Sequence, residues 1–174
     1  TRILFDRSFA RFGVATDYVR DPRVADQWEA AITPDTKAIF VETIPDQYRS
    51  IAGVFASSVS KYADRPAYRN FGKTLTYAQV DALSTQFAGY LLGELGLKKG
   101  DRVAIMAPNC LQYPVATFGI LRAGLTVVNV NPLYTARELR HQLVDAGASA
   151  IVVVDNFGHT VQEVLADTPL KQVI

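Results

Sequence analysis

The sequence has one cysteine, two histidines and almost no surplus of charge, and each scarcity excludes something. Cys110 alone cannot build an internal disulfide framework, which fits a reducing, cytoplasmic compartment. Two histidines and one cysteine are too few for a conventional zinc site within one chain. Eighteen basic residues against 17 acidic leave a formal net charge of +1, too little field for a polybasic nucleic-acid binder. No apolar run reaches the ~18 residues that span a bilayer. The first six residues, Thr1-Arg2-Ile3-Leu4-Phe5-Asp6, lack a signal-peptide core. The 174 residues are 49% hydrophobic and 20% charged, which excludes wholesale disorder and supplies a real core.

Residues 1–43 predict helix, strand, helix, strand: Leu4, Phe5, Phe9 and Phe12 recur at helical spacing, Val24, Trp28, Ala31 and Ile32 trace a second helical face, and Ala38–Val41 is a short apolar strand. Pro45-Asp46 marks a junction. Tyr48, Ile51, Phe55, Val59 and Tyr62 then predict an amphipathic helix, and the segments around Phe71-Gly72-Lys73 predict a β-hairpin. Thr76-Tyr77-Ala78-Gln79 and Thr135-Ala136-Arg137-Glu138 have the capping-box form, a hydroxyl at the N-cap and Gln or Glu three residues on. The helix after Thr76 carries Val80, Leu83, Phe87 and Leu91 on one face. Arg102–Met106, Leu125–Val130 and Ala150–Val154 predict strands, with helices over 111–122, after Thr135, and around 160–167. Apolar strands alternating with helices define an α/β fold, a three-layer, mostly parallel, doubly wound sheet with helices on both faces.

Chemistry-bearing motifs are sparse. Neither G-x-x-x-x-G-K-[ST] nor G-x-G-x-x-G occurs, so Gly93, Gly96 and Gly100 read as punctuation. Cys110, at a helix start among apolar neighbours, reads as a buried structural thiol. His141 lies on a solvated helix face and His159 in a loop, without a partner for catalysis. Asp46, Asp64, Asp81, Asp101, Asp145 and Asp155 form no close pair for acid–base work. No catalytic or metal-ligating residue is assigned.

Residues 44–174 nevertheless carry recognisable blocks. These are Ile44-Pro45-Asp46-Gln47-Tyr48, Leu75–Val80, Leu97–Ala104, Pro108–Pro114 with Phe118–Gly124, and Val127–Thr135. Together they resemble the N-terminal part of bacterial long-chain fatty-acid–CoA ligases of the adenylate-forming superfamily. The resemblance implies a parent reaction in which a fatty acid and ATP, with Mg²⁺, give an acyl-adenylate, and coenzyme A then takes the acyl group. The family's phosphate loop, ribose-binding Asp and catalytic Lys have no counterpart among these residues, so no cofactor is expected for this chain and the chain alone is expected to be inactive. The loop at a strand's carboxyl end, with Asn131, Leu133 and Tyr134, is the candidate coenzyme A-side contact.

Residues 1–43 instead resemble a segment of the PLP-dependent Cys/Met-metabolism enzymes, near O-succinylhomoserine sulfhydrylase and the cystathionine synthases. The carrying blocks are Phe9–Val14, Asp17-Tyr18-Val19, Trp28–Lys37 and Ala38–Thr43. The Schiff-base lysine of that family is absent, so PLP binding is not expected. The two resemblances define two domains, 1–43 and 44–174, joined as an engineered or recombined chimera. Fusion leaves apolar edges at Ala38–Val41 and Val173-Ile174, which implies self-association. Three readings stay open: an inactive ligase part fused to a foreign segment, a ligand-free self-associating protein, and a remnant of a PLP-dependent sulfhydrylase.

Overall fold

A computed structural model describes residues 25–31, 33 and 50–174. The chain divides into two compact units, Thr1–Thr43 and Ile44–Ile174. In the first, α1 spans Ala25–Ala31 with Asp26 in its first turn, where a carboxylate favours the helix dipole. The rest of the helix–strand reading of 1–43, including the strand at 38–41, lies outside the described residues.

The described part of the second unit opens with α2, Ile51–Tyr62, whose N-cap Ser50 accepts from the Gly53 amide. A two-stranded antiparallel hairpin follows, β1 (Pro66–Asn70) and β2 (Lys73–Thr76). Its loop is two residues, Phe71 and Gly72, with φ of 44° and 75°, and not the three the sequence suggested. Lys73 pairs with Asn70 and belongs to the strand. Positive φ at both loop positions is the pattern that matches the right-handed twist of the flanking strands.

The remaining elements wind a parallel sheet. α3 (Tyr77–Gly93) leads to β3 (Arg102–Met106), α4 (Gln112–Arg122), β4 (Thr126–Val130), α5 (Ala136–Ala146), β5 (Ala150–Val153), α6 (Gly158–Val164) and β6 (Gln172–Val173). The strand order is β4-β3-β5-β6, all parallel. Both capping boxes form: Thr76 with Gln79 opens α3, and Thr135 with Glu138 opens α5. Gly147 ends α5 at φ 60°, a left-handed position that glycine adopts without a Cβ penalty.

β3 shows why the sheet has a layer on each side. Val103 and Ile105 face one cluster with Leu91, Ala116, Ile120 and Leu125 from the α3–α4 side. Ala104 and Met106 face the other, with Leu139, Leu143, Val161 and Val164 from α5 and α6. Successive strand residues point to opposite faces, so a strand apolar at every position must be covered twice. The expected three-layer α/β arrangement is what the structure has.

The buried face of α3 is Val80, Ser84, Ala88 and Leu91; Leu83 is 40% exposed, so the predicted Val80–Leu83–Phe87–Leu91 stripe is rotated. The reason lies in α4. Small residues Ser84, Ala88, Ala116 and Gly119 are buried on the two helices, and a Cβ on Gly119 would sit 2.7 Å from Phe87 Cδ1 and 3.0 Å from the Ser84 carbonyl oxygen. The helices approach closely there, so small residues occupy the buried face and Phe87 is displaced to its flank. On α2, Phe55 is buried while Ile51, from the same predicted stripe, is 53% exposed.

Gly119→Ala is expected to destabilise the fold. Alanine gains ~1 kcal/mol of helix propensity, but the Ser84 carbonyl cannot step aside as a side chain would, and overpacking typically costs about 1–3 kcal/mol. Urea unfolding should show a lower midpoint at unchanged slope; a higher midpoint would mean the helices are not in contact there.

Candidate functional site

In open α/β sheets, ligands bind at the carboxyl ends of the strands, where neighbouring connections leave in opposite directions. Here β3 and β5 are neighbours. The chain after β3 enters α4 on one face, and the chain after β5 enters α6 on the other. The switch point therefore lies between the Asn109-Cys110 loop and the Asp155–Phe157 turn, one strand away from the loop the sequence singled out.

That loop, after edge strand β4, is a turn built by its own polar groups. The Asn131 side-chain oxygen accepts from the Leu133 amide at 3.0 Å, and its carbonyl accepts from the Tyr134 amide at 3.1 Å. Leu133 is 82% exposed, whereas Tyr134 packs against the α5–α6 cluster. Asn131, Leu133 and Tyr134 thus do not converge: one shapes the turn, one faces solvent, one fills the core edge.

Asn129, which sequence reasoning passed over, knits this end of the sheet together. Its side-chain oxygen accepts from Tyr113 Oη on α4 at 2.8 Å, and its backbone carbonyl accepts from Gln142 Nε2 on α5 at 2.9 Å. The signal was an amide inside the apolar run Val127-Val128-Asn129-Val130.

The described cavity lies beside the switch point, between the hairpin and α4, with a volume of ≈ 310 Å³. Tyr68, Arg69 and Asn70 form one wall; Asn109, Cys110, Leu111, Tyr113, Pro114, Thr117 and Phe118 form the other. Asn70 Nδ2 donates to the Asn109 carbonyl at 3.0 Å and ties the two walls. Phe118 is stacked on buried Phe55 at 3.8 Å between ring centroids, which fixes the rear wall. The Thr117 hydroxyl is buried without a hydrogen-bond partner. Partial burial, and to a lesser extent Tyr77, raise the Tyr68 phenol above its ordinary pKa, so it stays a neutral donor. The cavity is a largely apolar, aromatic slot with a few neutral polar groups and one cation, Arg69, on its hairpin wall.

Cys110 is half-buried on the wall of this cavity, a correction to its reading as a sealed core thiol. Its helix start places it where the chain leaves the sheet, so one side meets the core and the other the cavity. His159 is exposed in the first turn of α6 and not in a loop, with its Nε2 3.2 Å from Thr160 Oγ1; His141 is exposed on α5. Among the described residues, no three His, Cys, Asp or Glu side chains converge to hold a metal ion. Among the described residues, no helix is long and apolar enough to cross a membrane.

Parallel strands, a helical layer on each face and a crevice at the carboxyl ends define an open α/β scaffold, a class that hosts many chemistries. The comparisons narrow this: a profile of the AMP-binding enzyme family matches residues 55–174, and the chain belongs to that family. The long-chain-fatty-acid–CoA ligase of Escherichia coli O6:H1 is 59% identical over 133 residues, 76% of this chain and 24% of that protein. The ligase of the same description from Haemophilus influenzae is 54% identical over 135 residues, 78% of this chain and 24% of the relative. Among solved structures, the N-terminal domain of FACL13 from Mycobacterium tuberculosis superposes with a TM-score of 0.67 at 26% identity, covering 73% of this chain and 34% of that one. A Mycobacterium tuberculosis fatty acyl CoA synthetase gives 0.66 at 26%, covering 71% and 26%. The chain spans about a quarter of the length of the curated relatives it matches.

The α5 cap supplies a pH test. The Thr135 hydroxyl and amide donate to Glu138 Oε2 at 2.7 and 2.9 Å. The hydroxyl bond, then the amide bond, lower the Glu138 carboxyl below its ordinary value. A lowered pKa in the folded state contributes stability above the unfolded value that disappears as the pH falls through the folded one. Melting temperatures of wild type and Glu138→Gln should therefore differ in favour of wild type near neutrality and converge in acid. A gap that widens on acidification would contradict the cap.

Proposed function

We propose that residues 44–174 are the N-terminal α/β part of a long-chain fatty-acid–CoA ligase. The parent reaction is ATP-dependent adenylation of a fatty acid, with Mg²⁺, followed by thioester formation with coenzyme A. The observation that supports this is the 59% identity over 133 residues to a protein so described. In this reading the chain contributes a scaffold: the rigid carboxyl end of the sheet, held by Asn129, and one wall of the substrate approach. Asn131, Leu133 and Tyr134 form the loop offered toward the coenzyme A side, of which exposed Leu133 is the group available for contact. The chain by itself forms no acyl-adenylate. The single cysteine fits a cytoplasmic, reducing setting.

Residues 1–43 are proposed as a foreign segment, a fragment of a PLP-dependent Cys/Met-metabolism enzyme that carries no PLP here. The competing reading, a self-associating protein without a ligand, is favoured by one feature: among the described residues β6 lies at a sheet edge with Val173 48% exposed.

A hybrid tests the proposal. Residues 44–174 replace the matching segment of the Escherichia coli ligase, and oleoyl-CoA formation is measured. The hybrid is expected to retain turnover, while the 174-residue chain alone shows no oleate-dependent ATP–pyrophosphate exchange. A folded hybrid without thioester synthesis, or exchange by the isolated chain, would overturn the assignment.

A further inference from the structure

One face of the second unit carries both a hole and a knob that fits it. The hole is the slot between the hairpin and α4, ≈ 310 Å³, at the small end of the about 300–1,000 Å³ of ligand pockets. The knob is Phe71, 97% exposed in the hairpin loop. Its φ of 44° lies in the left-handed region, where a bulky residue is an outlier and where Asn, Asp or Gly normally occupies this loop position. The turn by itself would be better served by asparagine, so the ring is held at a conformational cost and without a neighbour to pack on.

The slot is chemically suited to a ring. Tyr68, Tyr113 and Phe118 line it, and aromatic side chains attract another ring stacked or edge to face. Arg69 stands on the hairpin wall, where its Nε donates to Thr74 Oγ1 at 3.2 Å and the guanidinium is steadied. A guanidinium over an aromatic face adds an attraction that an aliphatic occupant lacks. Knob and hole are also contiguous: Tyr68, Arg69 and Asn70 form the wall, and Phe71 is the next residue along the chain. The Asn70–Asn109 hydrogen bond fixes the tip relative to the slot. Adjacent complementary features on one surface satisfy a two-fold axis, because the ring of each copy enters the slot of the other and the contact closes at two copies.

We propose that two copies of this chain associate about a two-fold axis through this face, with Phe71 of each copy seated in the slot of the other against Phe118 and Arg69. The proposal uses only the hairpin and α4, so it stands apart from the ligase assignment and from the β6 edge. A seated ring and a small ligand exclude each other, so the paired and ligand-bound forms are alternatives. Each aromatic buries about 150–250 Å². Two of them, with the walls they cover, fall short of the ~1,200 Å² of a stable specific interface, so the dimer is weak.

Sedimentation equilibrium of the 174-residue chain, up to about 1 mM, should show a monomer–dimer equilibrium. Phe71→Asn should weaken the dimer about a hundredfold, about tenfold for each of the two rings, without lowering the melting temperature, because asparagine suits the turn. A crosslink locates the contact. Phe71→Cys/Cys110→Ser, whose one thiol is at the tip, is mixed with wild type, whose one thiol is on the slot wall, and the mixture is oxidised with diamide. Peptide mapping should recover a disulfide between position 71 of one copy and Cys110 of the other, a link that only two copies can make. Wild type that stays monomeric throughout, or growth beyond a dimer, would overturn the proposal. Equal dimerisation of wild type and Phe71→Asn would overturn it too and assign self-association to another surface. So would the absence of the 71–110 link, including a result in which the tips join only each other.

Discussion

Burial of β3 on both faces is the constraint from which the rest of the second unit follows. Val103, Ala104, Ile105 and Met106 have no measurable solvent exposure. Their alternate side chains belong to different clusters, so neither helical layer can be removed without exposing half of the strand. Parallel neighbours on each edge satisfy its backbone. Parallel pairing in turn demands crossovers, which set α4 on one face and α5 on the other. The close crossing of α3 and α4 at Gly119 and Ser84 then seals the outer side of this core.

The same topology fixes where binding can occur. β3 and β5 send the chain to opposite faces, and the crevice between their ends is the natural site. Asn129 draws α4 and α5 onto the end of β4, which makes the rim of that crevice rigid. The hairpin extends one wall and encloses the aromatic slot with α4. Apolar walls with few polar groups suit a part that positions a ligand for chemistry carried by other groups, which is the role proposed for this segment of a ligase.

Much of this architecture can be read from residues because it is locally encoded. The capping boxes at Thr76 and Thr135 depend on spacing within one turn, and both form. The unbroken apolar run of β3 demands two layers wherever the strand is placed. What failed depended on partners distant in sequence. The rotation of the α3 stripe, with Ser84 buried and Leu83 exposed, follows from how closely α4 approaches, and nothing within α3 reveals that. The switch point beside Asn109-Cys110 required the strand order, which no local motif reveals. Cys110 was assigned to the core because its neighbours in sequence are apolar, but the hairpin that forms the facing wall is 40 residues upstream. The family assignment came from the sequence blocks; the fold alone would have left the chemistry open, since one scaffold hosts many reactions.

Native-state hydrogen exchange tests the dependence on β3 most directly. The amides of Val103–Met106 should exchange only through global unfolding, with a denaturant dependence equal to that of the whole second unit. The β1–β2 hairpin should open at lower free energy. Exchange of the β3 amides through a smaller, denaturant-insensitive opening, at or below the free energy of the hairpin, would contradict the account.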